Sequence, residues 1–165
     1  ATLAIADHFG PVYLRFGRPK VPNFTPEKNS FQIGKGIKMI EGSDVSIVAT
    51  GHLVWESLKA AEILSDKGIS VEVINIHTIK PLDDEIILNS VSKTKAIVTA
   101  EEHNIYGGLG ESVSRILSTN LPTPQEFVGT NDTFGESGTP IQLMNKYGLN
   151  AENIISKAEK VIARK

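Results

Sequence analysis

The chain contains no cysteine. That excludes a disulfide framework, thiolate zinc sites and a cysteine nucleophile, while leaving the redox compartment open. No apolar run approaches the ~20 residues that a membrane-crossing helix requires. Charge is nearly balanced, with 17 Lys and Arg against 19 Asp and Glu and a formal net charge of −2. The electrostatic footprint of a nucleic-acid binder is therefore missing. Aromatic residues reach only 6%, with a single Trp, yet 40% of the residues are hydrophobic and 22% charged. This is the balance of a globular chain rather than of a disordered or fibrous one. At 165 residues the length predicts about one domain, large enough to bury a core without covalent staples.

The two ends differ. Residues 1–33 carry four basic and two acidic side chains, a balance of +2, and the remainder carries −4. Leu3, Ala4 and Ile5 are helix material with no capping sequence before them, and Gly10-Pro11 stops the segment. Val12, Tyr13, Leu14 and Phe16 predict a short strand. A helix without a start, followed by a lone strand, reads as the severed end of a fold that continues upstream. The stretch from Gly17 to Pro26 holds three prolines, which fix φ and remove amide donors, so an extended linker is expected there.

From Phe31 onward the chain reads as one domain. Val45–Ala49, Val71–Ile76, Ala96–Ala100 and Glu126–Gly129 predict strands. Helices are expected between them: one bearing Val54, Leu58, Ala61 and Leu64, closed by Lys67 and Gly68, and one capped by Asp83. Another bears Val113, Ile116 and Leu117. A short helix opens at Gly138-Thr139-Pro140, and a last one, capped by Asn150, carries Ile154, Ile155, Ala158, Val161 and Ile162 on one stripe. The strands are continuous apolar runs, as in a sheet buried on both faces. The expected architecture is α/β, a three-layer sandwich with a mostly parallel sheet.

Several residues invite a chemical reading. Gly107-Gly108-Leu109-Gly110 lies between a strand and a helix, where bare amides bind anions. Its spacing matches neither the dinucleotide fingerprint nor a P-loop, so close packing of helix on strand is favoured. Thr50-Gly51-His52 is a second such corner, read as a tight turn with a hydroxyl cap or as a ligand site at the sheet edge. Glu101 and Glu102 are adjacent on a strand and point to opposite faces, which argues against a carboxylate pair. His103 is an acid–base candidate by residue type, but it has no identifiable partner, and a structural or interface role is favoured. His8, His52, His77 and His103 show no metal-ligand spacing. Arg15 and Arg18, before Pro19, are placed to hold a phosphate or carboxylate, or are solvated surface residues.

Gly10-Pro11-Val12-Tyr13-Leu14-Arg15-Phe16-Gly17-Arg18-Pro19 resembles the end of the pyrimidine-binding domain of transketolase. Val45 to Gly51, Ile79 to Asp83, Thr99 to Asn104, Gly107 to Glu111 and Phe134 to Gly138 resemble its C-terminal domain, in the same order. The resemblance implies residues 1–18 as a remnant of the pyrimidine-binding domain, 19–33 as linker and 34–165 as the transketolase C-terminal domain. It implies a cytoplasmic thiamine-diphosphate enzyme that moves a two-carbon ketol unit between sugar phosphates in the pentose phosphate pathway. Thiamine diphosphate and Mg²⁺ would be bound by other domains, and neither is expected in this piece, which would be inactive alone. Arg18 matches the family arginine that binds the sugar phosphate. No catalytic, cofactor-binding or metal residue carries over. The implied partners are a second copy, or a split subunit carrying the cofactor domain, with no nucleic acid and no membrane. Deoxyxylulose-phosphate synthase and the β subunits of 2-oxoacid dehydrogenases share the pattern and are competing identities. A free-standing anion-binding module, using the Gly51 or Gly107 corner, is the reading from a different class.

Overall fold

Short runs of β-branched and small apolar residues form the centre of a five-stranded sheet. A computed structural model describes residues 1–17, 20–25 and 31–165. Strands β2 (Val45–Ala49) and β3 (Val71–Asn75) are buried at every position. β4 (Ile97–Asn104) is buried for its first five residues, and β5 (Gln125–Thr130) completes that side. A fifth strand, β1 (Ile37–Ile40), lies on the opposite edge. The order is β1-β3-β2-β4-β5. The β2–β3, β2–β4 and β4–β5 pairs are parallel, and only β1 runs antiparallel to its neighbour β3. The α/β sandwich with a mostly parallel sheet is therefore borne out.

Strand alternation divides the side chains between two layers. Val45, Ile47 and Ala49 face a core shared with Val73, Val98 and Val128. That core is covered by α2 (His52–Asp66) and α6 (Ala151–Ile162). Val48, Ile74 and Ile97 face the other core, under α3 (Asp84–Thr94) and α4 (Leu109–Asn120). Each fully buried aliphatic side chain contributes roughly 1.5–3 kcal/mol over its exposed state. Polar groups on the second face find partners: the Ser46 hydroxyl lies 2.6 Å from the hydroxyls of both Ser90 and Thr94. No helix among the described residues is long and apolar enough to cross a membrane.

Most helix boundaries follow the expected signals. Asp83 caps α3, its Oδ1 accepting from the Ile86 amide, while its Oδ2 accepts from Gly36 at 2.9 Å. Lys67 ends α2, and Gly68 follows with a positive φ of 78°. Thr139 and Gln142 form a reciprocal capping box at α5 (Pro140–Lys146), and Asn150 caps α6.

Three expectations need correction. Residues 12–16 form no strand, since a strand needs an edge to pair with, and this stretch is largely solvent-exposed. Before it, α1 (Thr2–Ala6) buries none of its residues. The edge strand β1 carries Lys38 and a bulge between Lys38 and Ile40, so its apolar pattern is broken. Finally, β4 continues past Ala100 to Asn104. Part of the expected linker, residues 19 and 26–30, lies outside the described residues. Within the rest, Phe24 stacks on Trp55 of α2 with ring centroids 6.1 Å apart.

Candidate functional site at the carboxyl edge of the sheet

Successive parallel strands wind in opposite directions from β2: β3 lies on one side and β4 on the other. This makes the gap beyond the carboxyl ends of β2 and β4 a topological switch point, the usual place for a ligand in an open α/β sheet. Ala49 and Ala100 are register partners there. The residues just beyond them are Thr50-Gly51-His52 on one side and Glu101-Glu102-His103 on the other.

Glu101 and Glu102 part company, as alternation requires. Glu101 is 4% exposed and turns to the start of α4. Its two oxygens accept from the amides of Leu109 and Gly110, each at 2.7 Å. Gly108 leaves room for this carboxylate, since a Cβ at position 108 would overlap it. At Gly110 an added Cβ would come within 2.6 Å of Phe127 and 2.9 Å of the Thr99 hydroxyl. Both expectations for the glycine cluster are thus resolved: helix and strand do pack closely, and the anion at the helix N-terminus is an internal one.

Glu102 points the other way, to His52. Its Oε2 lies 3.2 Å from His52 Nδ1, the ring 17% and the carboxylate 41% exposed. Gly51 caps α2 with φ 59° and no side-chain hydrogen bond. The expected hydroxyl cap from Thr50 is absent, because the left-handed glycine turns the chain without it. The chain's own residues 15–17 border the crevice. Gly17 lies so close to the His52 imidazole that a Cβ on it would overlap Nε2. Beside it, Arg15 Nη1 donates to the Glu102 carbonyl at 3.3 Å. The anion-module reading thus loses both corners, one to Glu101 and the other to the chain's own residues 15–17.

His103 remains half-exposed, its Nδ1 2.8 Å from the Asn104 carbonyl and 4.0 Å from Glu101. The Asn104 side chain donates to Asp132 at 2.9 Å and accepts from the Tyr106 amide at 3.0 Å. It thereby ties the β4–α4 loop to the loop after β5. Further along that loop, Phe134, Glu136, Lys146 and Tyr147 line a shallow cleft of about 270 Å³. The Glu136–Lys146 ion pair at 2.5 Å closes one wall. Among the described residues, no three His, Asp or Glu side chains gather into a metal-binding group. Arg18 lies outside the described residues.

The sequence reading missed the contacts of His52 with Glu102 and Gly17. A signal was available: two parallel strands that flank a switch point bring the residues beyond their ends together, however far apart in sequence.

Residues 34–154 match the family model described as transketolase, C-terminal domain. A 6-deoxy-6-sulfo-D-fructose transketolase subunit of Clostridium sp. is 45% identical over 161 residues, which are 98% of this chain and 50% of that protein. A 1-deoxy-D-xylulose-5-phosphate synthase of Caldanaerobacter subterraneus is 37% identical over 146 residues, 87% of this chain and 24% of its own. Among solved structures, a split gene transketolase in an inactive beta4 tetramer superposes with a TM-score of 0.93 at 42% identity. That likeness covers 98% of this chain and 55% of the other. The chain spans about half the length of the first of these relatives.

Proposed function

The chain belongs to the transketolase C-terminal-domain family, and from that premise we propose that it works as the C-terminal section of a transketolase. One observation carries the reading. The likeness to a split gene transketolase runs over 98% of this chain, beyond residues 34–154 and so into the first 33 residues. In this reading residues 1–18 are the end of the preceding pyrimidine-binding domain, 19–33 connect, and 34–165 are the C-terminal domain.

The reaction is the transfer of a two-carbon ketol unit. The bond between C2 and C3 of a ketose phosphate breaks, and C2 joins the carbonyl carbon of an aldose phosphate. Thiamine diphosphate would supply the carbanion and electron sink for both halves. The residues described in this chain do not fit that cofactor. The amides at the start of α4 are taken by Glu101, and the His52 corner is lined by the Glu102 carboxylate and covered by Gly17. A diphosphate would meet like charge at either place. In this reading the cofactor and its Mg²⁺ are bound by a domain on a partner subunit or elsewhere in the enzyme, and this chain alone is inactive. Its contribution is the substrate's terminal anion: Arg18 holds the sugar phosphate through a charge-assisted pair. The sulfonate in the name of the Clostridium relative's substrate is an oxyanion of the same kind.

The likeness to 1-deoxy-D-xylulose-5-phosphate synthase supports a second reading, with a 2-oxoacid donor that loses CO₂. The test uses the complete protein with thiamine diphosphate and Mg²⁺. Ketol transfer from a ketose phosphate without CO₂ release is the expected result. Consumption of pyruvate with CO₂ release would favour the second reading. Turnover of neither donor would remove both.

A further inference from the structure

The switch-point crevice of this domain is bordered by the chain's own residues 15 and 17, which touch it while remaining exposed on their outer side. Gly17 abuts the His52 ring, and Arg15 donates to the Glu102 carbonyl. His52 and Glu102 hold each other at 3.2 Å, which fixes the plane of the imidazole that Gly17 rests on. The next residue along the chain is Arg18. We propose that this crevice is a socket for residues 15–17, and that His52 and Glu102 are positioning residues for the arginine that follows. The inference rests on the reading of Arg18 as the anion-binding residue.

Several features of the contact fit a socket better than incidental packing. A Cβ at position 17 would meet the His52 ring at Nε2 and Cε1, so any larger residue there requires the ring to move. Both sides of the crevice contribute, His52 from the start of α2 and Glu102 from β4, so the docked segment reports on the spacing of the two central strands. The anchored backbone also ends one residue before the guanidinium that must be placed. A cation on a long side chain loses binding advantage if the backbone that carries it must be ordered when the ligand arrives. The socket would hold the backbone of residues 15–17 in the folded protein before substrate arrives. The C-terminal domain thereby gains a part in substrate recognition.

The experiment has two arms, both in the complete protein. The first needs no activity. Native-state trypsin cleavage after Arg15 is followed by mass spectrometry, with cleavage at Lys160 as control for global unfolding. Because such cleavage tracks the population of the open segment, His52→Ala and Gly17→Ala should each raise it roughly 10-fold, leaving the control unchanged. The double variant Gly17→Ala/His52→Ala should be cleaved no faster than His52→Ala alone, because the shortened side chain makes room for the new methyl. Cleavage within twofold of the native rate in His52→Ala, or strictly multiplicative effects in the double variant, would overturn the socket. The second arm is kinetic. His52→Ala and Glu102→Gln should raise KM for a phosphorylated ketose roughly 10-fold with kcat within about twofold, and leave KM for an unphosphorylated ketose unchanged. Equal losses with both donors would refute a positioning role. Absence of ketol transfer in the native protein would instead count against the function proposed above, and the proteolysis arm would still decide whether the socket exists.

Discussion

The carboxylate of Glu101 occupies the space that a side chain on Gly108 would need. The two residues thus form a matched pair, an internal anion and the gap that admits it to the N-terminus of α4. The carboxylate satisfies two of the amides that a helix start leaves unpaired and meets the positive end of the helix dipole. Glu101→Gln replaces one acceptor oxygen by an amide that faces a backbone N–H. Charge-assisted bonds of this kind contribute about 1.5–3 kcal/mol, so urea denaturation should show a loss in that range. Gly108→Ala should cost a comparable amount, since backbone or carboxylate must move. The two changes together should cost less than their sum, because each disrupts the same contact. Simple additivity would show that Glu101 and Gly108 are independent.

Much of the sheet was legible because its strands are buried on both faces. Val45–Ala49 and Val71–Ile76 read as continuous apolar runs, and the structure buries every position of the strands within them. Caps such as Asp83 and Asn150 were legible because they are local: the side chain and the amide it accepts from lie three residues apart. The edge strand β1 was hidden by Lys38, whose ammonium reaches Glu41 at 3.0 Å on the sheet's rim. The tract Val12 to Phe16 misled in the opposite direction. Its residues have strand propensity, but that propensity expresses fit to a pleated surface and means little without a neighbouring strand.

The site was less legible for the same physical reason. Alternation along β4 separated Glu101 from Glu102, and the structure bears that out. Where each would go depended on contacts with helix α4 and with His52, 50 positions away. Asp83 shows the limit within a single residue. Its cap to Ile86 was predictable, whereas its bond to Gly36 depends on where the chain before β1 returns.

A second prediction concerns acid stability. Glu126, on β5, is almost buried and meets three cations from α6 and beyond: Lys157 and Lys160 at 3.1 Å and Arg164 at 2.7 Å. Burial alone would raise its pKa, but hydrogen bonds from Lys160 and Lys157 outweigh that and hold it below the ordinary value of 4.5. A depressed folded pKa means the unfolded chain binds its proton first as pH falls. The stabilisation is therefore complete above about pH 4.5 and is lost as pH drops through the lower folded value. Glu126→Gln should be less stable than the native chain at pH 7 and converge on it in acid. Denaturation midpoints measured across this range would read the difference. A constant gap between the two proteins at every pH would show that the loss is one of packing, not of charge.

Removing the two partners of a buried pair need not cost the same, and Glu72 supplies the test. It is fully buried on β3, with Oε2 bonded to Lys93 and 3.6 Å from Lys38. Among the described residues its other oxygen, Oε1, has no hydrogen-bond partner. Lys93 is 41% exposed and can turn to water if its partner is lost. Glu72 has no such escape. Lys93→Met leaves the carboxylate buried with only the longer Lys38 contact, while Glu72→Gln leaves a neutral amide and a solvated lysine. Stranding a buried charge costs about 3–5 kcal/mol in general. The half-exposed lysine and the remaining Lys38 place this case toward or below the lower end. Urea denaturation should rank Lys93→Met as clearly more destabilising than Glu72→Gln. The double variant should recover most of the difference, because no unpaired charge remains to be buried. Equal costs for the two single changes, or a double variant no better than Lys93→Met, would show that the pair is not governed by the desolvation of Glu72.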